Sequence, residues 1–225
     1  MTGDEKLARR LLAKVLQKEP DRQSQNMSLA KILWNSGERD AAAKCLEQVA
    51  AVDANDVPSR ALLGEYYLGK SDPYSAIRFL EPAGAHAPAG TPAHQSLTTM
   101  LGTAYRQAGN GQADKGDLVG AVDYYEKATQ LGPGHLDAYA GKARACVQLK
   151  QFRRAAEALE KLVSLEPENP TIHLSLGDVI YQDGNAAEAR RHWQKARQLV
   201  AAGDNELRDA LDLRLSGRIT PETFK

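Results

Sequence analysis

Cysteine is scarce in this chain of 225 residues, which has two, and aromatic residues make up only 6% of it. Cys45 and Cys146 lie three repeats apart in the register given below, too far for a disulfide bond. We expect both to be reduced thiols, which favours a cytoplasmic location. If the chain is a fragment, a periplasmic or membrane-associated location is the alternative.

The chain also has no net charge, because its 29 Lys and Arg residues balance its 29 Asp and Glu residues. No half of the chain is basic, and we therefore expect no nucleic-acid partner. Zero net charge makes self-association possible. No window approaches the roughly 18 apolar residues of a membrane span, so we expect no direct membrane insertion.

Motifs for catalysis are also missing. The five histidines show no metal-binding spacing, and there is no Cys-x-x-Cys, glycine-rich phosphate loop or His-Glu-x-x-His. We expect no catalytic residue, no metal and no cofactor, and hence no enzyme. His173 and Cys146 fall at apolar positions of the repeat, so we expect both in the core.

What the chain does have is a period of 34 residues. Alanine recurs at intervals of 34, 34, 45, 34 and 34 residues, at Ala8, Ala42, Ala76, Ala121, Ala155 and Ala189. A proline or alanine follows each of them at a fixed offset. A small residue and a helix-stopping residue in phase at this period predict stacked helical hairpins.

Each unit is numbered here so that the recurrent alanine is position 20. Position 8 is also small: Ala30, Gly64, Gly102, Ala143 and Gly177. Positions 4, 7, 8 and 11 share one face of a first helix, and positions 20, 24 and 27 share one face of a second. Small residues at 8 and 20 allow the two helices to approach closely. We expect four glycines at turns between helices, where a left-handed residue is needed: Gly37, Gly109, Gly116 and Gly184.

This pattern resembles the tetratricopeptide repeat (TPR) family, in which Leu-Gly stands at 7–8, Tyr at 11, Ala at 20 and 27, and Pro at 32. Leu63-Gly64 with Tyr67, and Leu101-Gly102 with Tyr105, match well. The resemblance implies an all-α, right-handed solenoid of antiparallel helix hairpins, with about five full repeats plus terminal half-repeat helices. The expected parts are an N-terminal helix in 1–22, repeats in 23–56, 57–90, 91–135, 136–169 and 170–203, and a C-terminal capping helix and tail in 204–225.

The two ends of the array read as half-units. Residues 1–22 read as the second half of a repeat, either a natural cap or the cut edge of a longer array. Thr220-Pro221-Glu222 near the other end is a helix-start signal.

The period breaks in the third unit, where extra residues enter at 91–94 and at 109–116. The three glycines of the second insertion, among them Gly109 and Gly111, predict a loop. Before the first insertion, Pro82 falls inside a helix, which we expect to end or kink near Leu80, with irregular chain up to Gly90. Thr91-Pro92 should then start a new helix.

Two interpretations of these breaks remain open. Pro82, Gly90, Gly109 and Gly111 could form a hinge or a binding loop between two rigid parts. Alternatively, the insertions are simply tolerated, because the entropy cost of closing a loop grows slowly with its length.

The resemblance also implies that the first helices line a concave groove. Positions 9 and 12 supply the predicted partner-binding residues: Lys31, Trp34, Glu65, Arg106, Arg144, Asp178 and Tyr181. Trp34 and Tyr181 would anchor a partner, while Arg106 and Arg144 would bind carboxylates. The alternative is that these charges form a solvated face and that Trp34 packs between repeats.

We therefore expect a non-catalytic scaffold or adaptor that binds a peptide or helical segment of a partner protein in its concave groove. A regulatory or assembly segment of a larger enzyme, or of a bacterial envelope or export machine, is the alternative. The carboxylate clamp of chaperone-binding TPR proteins is not expected, because its positions hold Met27, Lys31, Leu62, Ser96 and Met100.

Overall fold

The computed structural model describes residues 3–18, 22–132, 134–201, 203–219 and 224, and no β-strand occurs among them. The helices are α1 (Gly3–Lys18), α2 (Gln23–Asn35), α3 (Arg39–Val52), α4 (Val57–Gly69), α5 (Pro73–His86), α6 (Pro92–Asp114), α7 (Leu118–Gln130), α8 (Leu136–Gln148), α9 (Phe152–Leu165), α10 (Pro170–Gln182), α11 (Ala186–Leu199) and α12 (Asn205–Leu215). The helix-start signal at 220–222 lies outside the described residues.

The chain forms two compact units, Met1–Gln107 and Ala108–Lys225, so α6 contributes residues to both. In the first unit α2 pairs with α3 and α4 with α5. In the second unit α8 pairs with α9 and α10 with α11. Each of these hairpins corresponds to one period of the sequence.

Short polar side chains define where the helices begin. At the start of five helices, a side chain accepts a hydrogen bond from the backbone N–H three residues later: Asp56, Asp72, Asp117, Asn185 and Asp204. These side chains satisfy amide groups that have no partner inside the helix. The turn inside each hairpin is equally regular, because one residue there takes a positive φ: Gly37, Ser71, Gly116, Lys150 and Gly184. The prediction is thus confirmed for three of the four glycines.

Close packing inside a hairpin depends on a missing side chain. A Cβ added to Gly64 on α4 would lie 2.3 Å from Cδ2 of Leu80 on α5, and Leu80 is fully buried. On α10, a Cβ added to Gly177 would lie 2.5 Å from the Trp193 ring of α11. Because interiors are packed as densely as organic crystals, only glycine fits at these positions.

A recurrent glutamate at position 25 joins one repeat to the next, a role that the period alone does not reveal. The Tyr67 hydroxyl donates to Glu47 at 2.5 Å, and the Tyr105 hydroxyl donates to Glu81. The bond to Glu47 raises the pKa of Tyr67 to about 12. In the second unit Glu126, also at position 25, accepts from Arg154 of the next repeat at 3.0 Å.

The expected end of α5 near Leu80 is wrong, because the helix continues through Pro82 to His86. Pro82 removes one backbone donor and crowds the preceding turn. Leu80 and Ala83 are nevertheless 0% and 1% exposed, and continuing the helix is what buries both. The irregular chain is confined to 87–91, where Gly90 has a φ of 80°. Helix α6 then begins at Pro92 as predicted, with Thr91 accepting from the His94 amide at 3.2 Å.

The loop predicted at 109–116 is wrong as well, because α6 is helical up to Asp114. Seven extra residues add about two turns at 3.6 residues per turn, so the faces of the helix stay in phase. Gly109 lies within this helix, and a Cβ there would lie 2.7 Å from the Tyr125 ring, so glycine admits that ring. The hinge proposed for Pro82, Gly90, Gly109 and Gly111 stays a prediction. The Tyr125 hydroxyl donates to Asn110 at 2.7 Å, which ties the extra turns to α7.

Two residues predicted to be in the core are there. Cys146 is 0% exposed and His173 is 5% exposed. Both cysteines are free thiols, and burial raises the pKa of Cys45 and of Cys146. Raised thiol pKa values make these side chains poor nucleophiles at neutral pH.

The packing of Gly109 predicts opposite effects for two neighbouring glycines of α6. Gly109→Ala should lower the urea midpoint of unfolding, because the added methyl group must displace the Tyr125 ring, at a cost of about 1–3 kcal/mol. Gly111→Ala is the matched control, since nothing lies within 4 Å of the added Cβ. This substitution should raise the free energy of unfolding by roughly 0.5–1 kcal/mol, because alanine favours the helix more than glycine does. The urea midpoint should therefore rise slightly. Equal effects of the two substitutions would contradict this packing.

Candidate functional site

A groove of about 490 Å³ lies between the first helices of the fourth and fifth repeats, α8 and α10. Helix α8 contributes Ala143, Arg144 and Val147, and α10 contributes Asp178 and Val179. Leu159 and Leu162 of α9 also line the groove. An apolar cleft with a few polar groups is the usual form of a binding site.

A second groove of about 400 Å³ adjoins the first within the same unit. Asn110, Asp114 and Tyr125 line it together with Gly141. Arg144 and Gln148 line both grooves. Arg144 is exposed and has no hydrogen-bond or ion-pair partner among the described residues.

Asp178 is bonded from within the chain. Arg214 of α12 donates to both of its carboxylate oxygens, at 2.5 and 2.6 Å, and the Trp193 indole donates at 2.9 Å. The side chains of Arg214 and Asp178 are 9% and 18% exposed. Burial raises the pKa of Asp178, while the bonds from Arg214 and Trp193 oppose that rise. The pair fixes α12 against the fifth repeat.

Tyr181 stands in a short column of aromatic rings. Its ring centroid is 5.5 Å from that of Trp193 and 5.6 Å from that of Phe224, which also lines the groove. Structure therefore brings Arg144, Asp178 and Tyr181 to one region of the second unit. Phe224 was missed by sequence reasoning, since nothing in the repeat pattern relates the end of the chain to the fifth repeat.

The other four predicted residues belong to the first unit. Lys31 and Trp34 lie on α2, Glu65 on α4 and Arg106 on α6. Trp34 is half-buried against a cluster that includes Leu46 of its own hairpin and Leu63 of the next repeat, and the Arg39 guanidinium carbon lies 3.8 Å from the centre of its ring. Lys31 and Glu65 are exposed, and Arg106 is half-buried. Their role in binding stays a prediction, as it does for the residues of the second unit.

Buried His173 and half-buried His192 form an arrangement that the spacing of histidines in the sequence does not reveal. Nε2 of His173 lies 3.0 Å from the Pro167 carbonyl oxygen, and its Nδ1 lies 3.2 Å from Nδ1 of His192. Because a carbonyl only accepts, Nε2 of His173 donates to the Pro167 oxygen. Burial, then the neighbouring His173, lowers the pKa of His192, against the opposing effect of Glu188.

The described residues contain no group of three or more His, Cys, Asp or Glu placed to hold a metal ion. Among the same residues, no helix is long and apolar enough to cross a membrane.

Sequence profiles of the tetratricopeptide repeat match residues 2–66 and 112–163, and a second profile of the same repeat matches 140–206. The chain belongs to the tetratricopeptide repeat family. TPR proteins are generally non-catalytic scaffolds that bind protein partners, and these repeats make the chain a protein-interaction scaffold.

Solved structures of TPR proteins share the fold. MamA AMB-1 is 25% identical with a TM-score of 0.52, over 83% of this chain and 97% of that one. YrrB, described as a TPR protein with an unusual peptide-binding site, is 15% identical with a TM-score of 0.52, over 89% and 97%. The predicted all-α TPR solenoid is confirmed.

Curated relatives match a shorter region. DnaJ homolog subfamily C member 7 of Mus musculus and of Homo sapiens are both 30% identical over 95 residues, which is 42% of this chain. The match covers only 19% of the length of either relative.

The buried pair of Arg214 and Asp178 predicts a large loss of stability in Arg214→Ala. Removing one partner leaves a carboxylate buried without its countercharge, at a cost of about 3–5 kcal/mol. Arg197 and Asp212 form the matched control, since they pair at 2.7 Å between α11 and α12 but their side chains are 36% and 53% exposed. Arg197→Ala should leave the thermal midpoint almost unchanged, and a similar loss in both variants would contradict the assignment.

The histidine pair predicts that acid destabilises the second unit. His192 has a folded pKa below its ordinary 6.5, so the unfolded chain binds more protons. The contribution to stability is therefore complete above about pH 6.5 and is lost as the pH falls through the folded pKa. Thermal midpoints measured from pH 8 to 5 should fall less steeply in His192→Gln than in the unchanged chain. His86→Gln, on the exposed His86, should follow the unchanged chain, and equal slopes in all three would refute the prediction.

Proposed function

We propose that this scaffold binds a peptide or helical segment of a partner protein on the faces of its first helices, with the groove between α8 and α10 as the main contact. The observation that carries the proposal is Arg144, an exposed guanidinium that lines both grooves and is unpaired among the described residues. A guanidinium binds a carboxylate through two parallel hydrogen bonds. We expect the segment to place an Asp, a Glu or a terminal carboxylate there.

The apolar lining supports a segment that also carries apolar side chains. The groove beside Arg144 is lined by four apolar side chains: Val147, Val179, Leu159 and Leu162. Binding energy in such interfaces is concentrated in a few well-packed anchors surrounded by contacts that keep water out. A segment that combines an acidic residue with an apolar anchor therefore fits this groove best.

The proposal also includes four residues of the first unit: Lys31, Trp34, Glu65 and Arg106. They occupy the same repeat positions as the groove residues of the second unit. We propose that these side chains form a binding face of the first unit. The regulatory or assembly role in a larger protein stays an untested prediction.

Site-specific crosslinking tests the location of the partner. A photoreactive phenylalanine analogue placed at Gln148, which lines both grooves, should crosslink the partner in cells that express the chain. The matched control carries the same group at Arg191, an exposed residue on the second helix α11. Crosslinks from Arg191 but not from Gln148 would place the partner elsewhere and refute the proposal.

Charge reversal then tests the chemistry with the partner that the crosslinks identify. Arg106→Glu with Arg144→Glu should weaken its affinity by about tenfold or more, since about 1.4 kcal/mol corresponds to tenfold. Arg153→Glu with Arg191→Glu changes the net charge equally but on the exposed faces of second helices. Calorimetry should show almost unchanged affinity for this control, and equal losses in both pairs would indicate a non-specific effect of charge.

A further inference from the structure

One side chain already lies in the groove. Phe224 belongs to the segment after α12, residues 216–225, which we call the tail. Its ring is 5.6 Å from that of Tyr181 with an angle of 26° between the planes. The Arg214 guanidinium carbon is 5.9 Å from the centre of the Phe224 ring. Phe224 lines the groove together with Arg144 and Val147.

The surface under Phe224 is fixed before any ligand arrives. Arg214 is held by two hydrogen bonds to Asp178, so its guanidinium has one orientation. Tyr181 is supported from behind by Trp193, which is 2% exposed. Tyr181 and Arg214, which we call the aromatic seat, offer a phenylalanine ring a stacking face and a cation.

Phe224 rests on this seat without becoming part of the core. It is half-buried, whereas the core side chains of the fifth repeat, such as Leu176 and Trp193, are almost completely buried. A surface-bound ring can be displaced by another of the same kind, while a core ring cannot.

We propose that the aromatic seat binds a phenylalanine side chain of a peptide segment, and that Phe224 of the same chain is its resident occupant, which a partner must displace. This inference rests on the proposed function and names the anchor of the partner: a Phe placed so that an acidic neighbour reaches Arg144. The tail is attached to the unit that carries the seat, so its effective concentration is about millimolar. The tail thus weakens the apparent affinity of every partner for the seat, by a factor set by this effective concentration divided by the intrinsic dissociation constant of the tail.

The test uses a fluorescently labelled synthetic peptide with the sequence of residues 216–225 and the chain of residues 1–225. The peptide should bind the Phe224→Ala chain and should bind the unchanged chain about tenfold more weakly, as measured by fluorescence anisotropy. That factor follows if the peptide has a dissociation constant of roughly 0.1 mM against a tail at about 1 mM. A peptide with Ala in place of its Phe should bind neither chain.

A substitution in the seat completes the test. Tyr181→Leu, added to the Phe224→Ala chain, keeps an apolar side chain but removes the ring, and should weaken peptide binding at least fivefold. Tyr74→Leu, at an exposed tyrosine of the first unit, is the control and should change nothing. Thermal melts of every variant establish that each is folded.

Three results would overturn the inference. They are equal binding of the peptide to the unchanged and Phe224→Ala chains, no binding to either chain, and binding that does not need the Phe of the peptide. Self-association of the unchanged chain that Phe224→Ala abolishes would assign the tail to a second copy and would also refute it.

The peptide assay needs no partner, so its failure is separate from that of the proposed function. If the peptide fails while Gln148 still crosslinks the partner, only the aromatic seat is refuted. If the peptide binds while the partner crosslinks from Arg191 alone, the proposed function is refuted.

Discussion

The fold depends on one steric constraint: a large side chain of a second helix packs against a position without a Cβ on a neighbouring first helix. Leu80 meets Gly64, Trp193 meets Gly177, and Tyr125 meets both Gly109 and Gly141. Each approach is so close that a methyl group would overlap the opposing side chain. The groove is lined instead by Arg144 and Val147, at positions 9 and 12 of α8, and by Asp178, at position 9 of α10.

The sequence predicts the hairpins well because the period reports directly on which residues must be small. Two predictions from the sequence are wrong: the end of α5 near Leu80 and the loop at 109–116. Both rest on the intrinsic preferences of proline and glycine, which packing in the folded chain overrides. Leu80 and Ala83 need the turn that Pro82 disfavours, and Gly109 is present to admit Tyr125. A seven-residue insertion adds about two helical turns and keeps the helical phase. This length was the feature of the sequence that could have predicted a longer helix instead of a loop.

Contacts between distant parts of the sequence could not be read from it. Asp178 sits at a groove position, yet Arg214, 36 residues later, bonds both of its oxygens. His173 was correctly predicted in the core, but its contact with His192 depends on the pairing of α10 with α11. In each case the repeat pattern gives the helix face, and the three-dimensional structure gives the partner.

The central claim is that glycine on the first helix and the large residue on the second act as one unit, and a double-mutant cycle on Gly64 and Leu80 tests it most directly. Gly64→Ala should destabilise the unchanged chain, and Leu80→Ala should cost about 2–5 kcal/mol. With Leu80 shortened, the methyl group at 64 has space, so the double variant should lose less stability than the sum of the two, by about 0.5–3 kcal/mol. Strictly additive losses in urea unfolding would contradict the account.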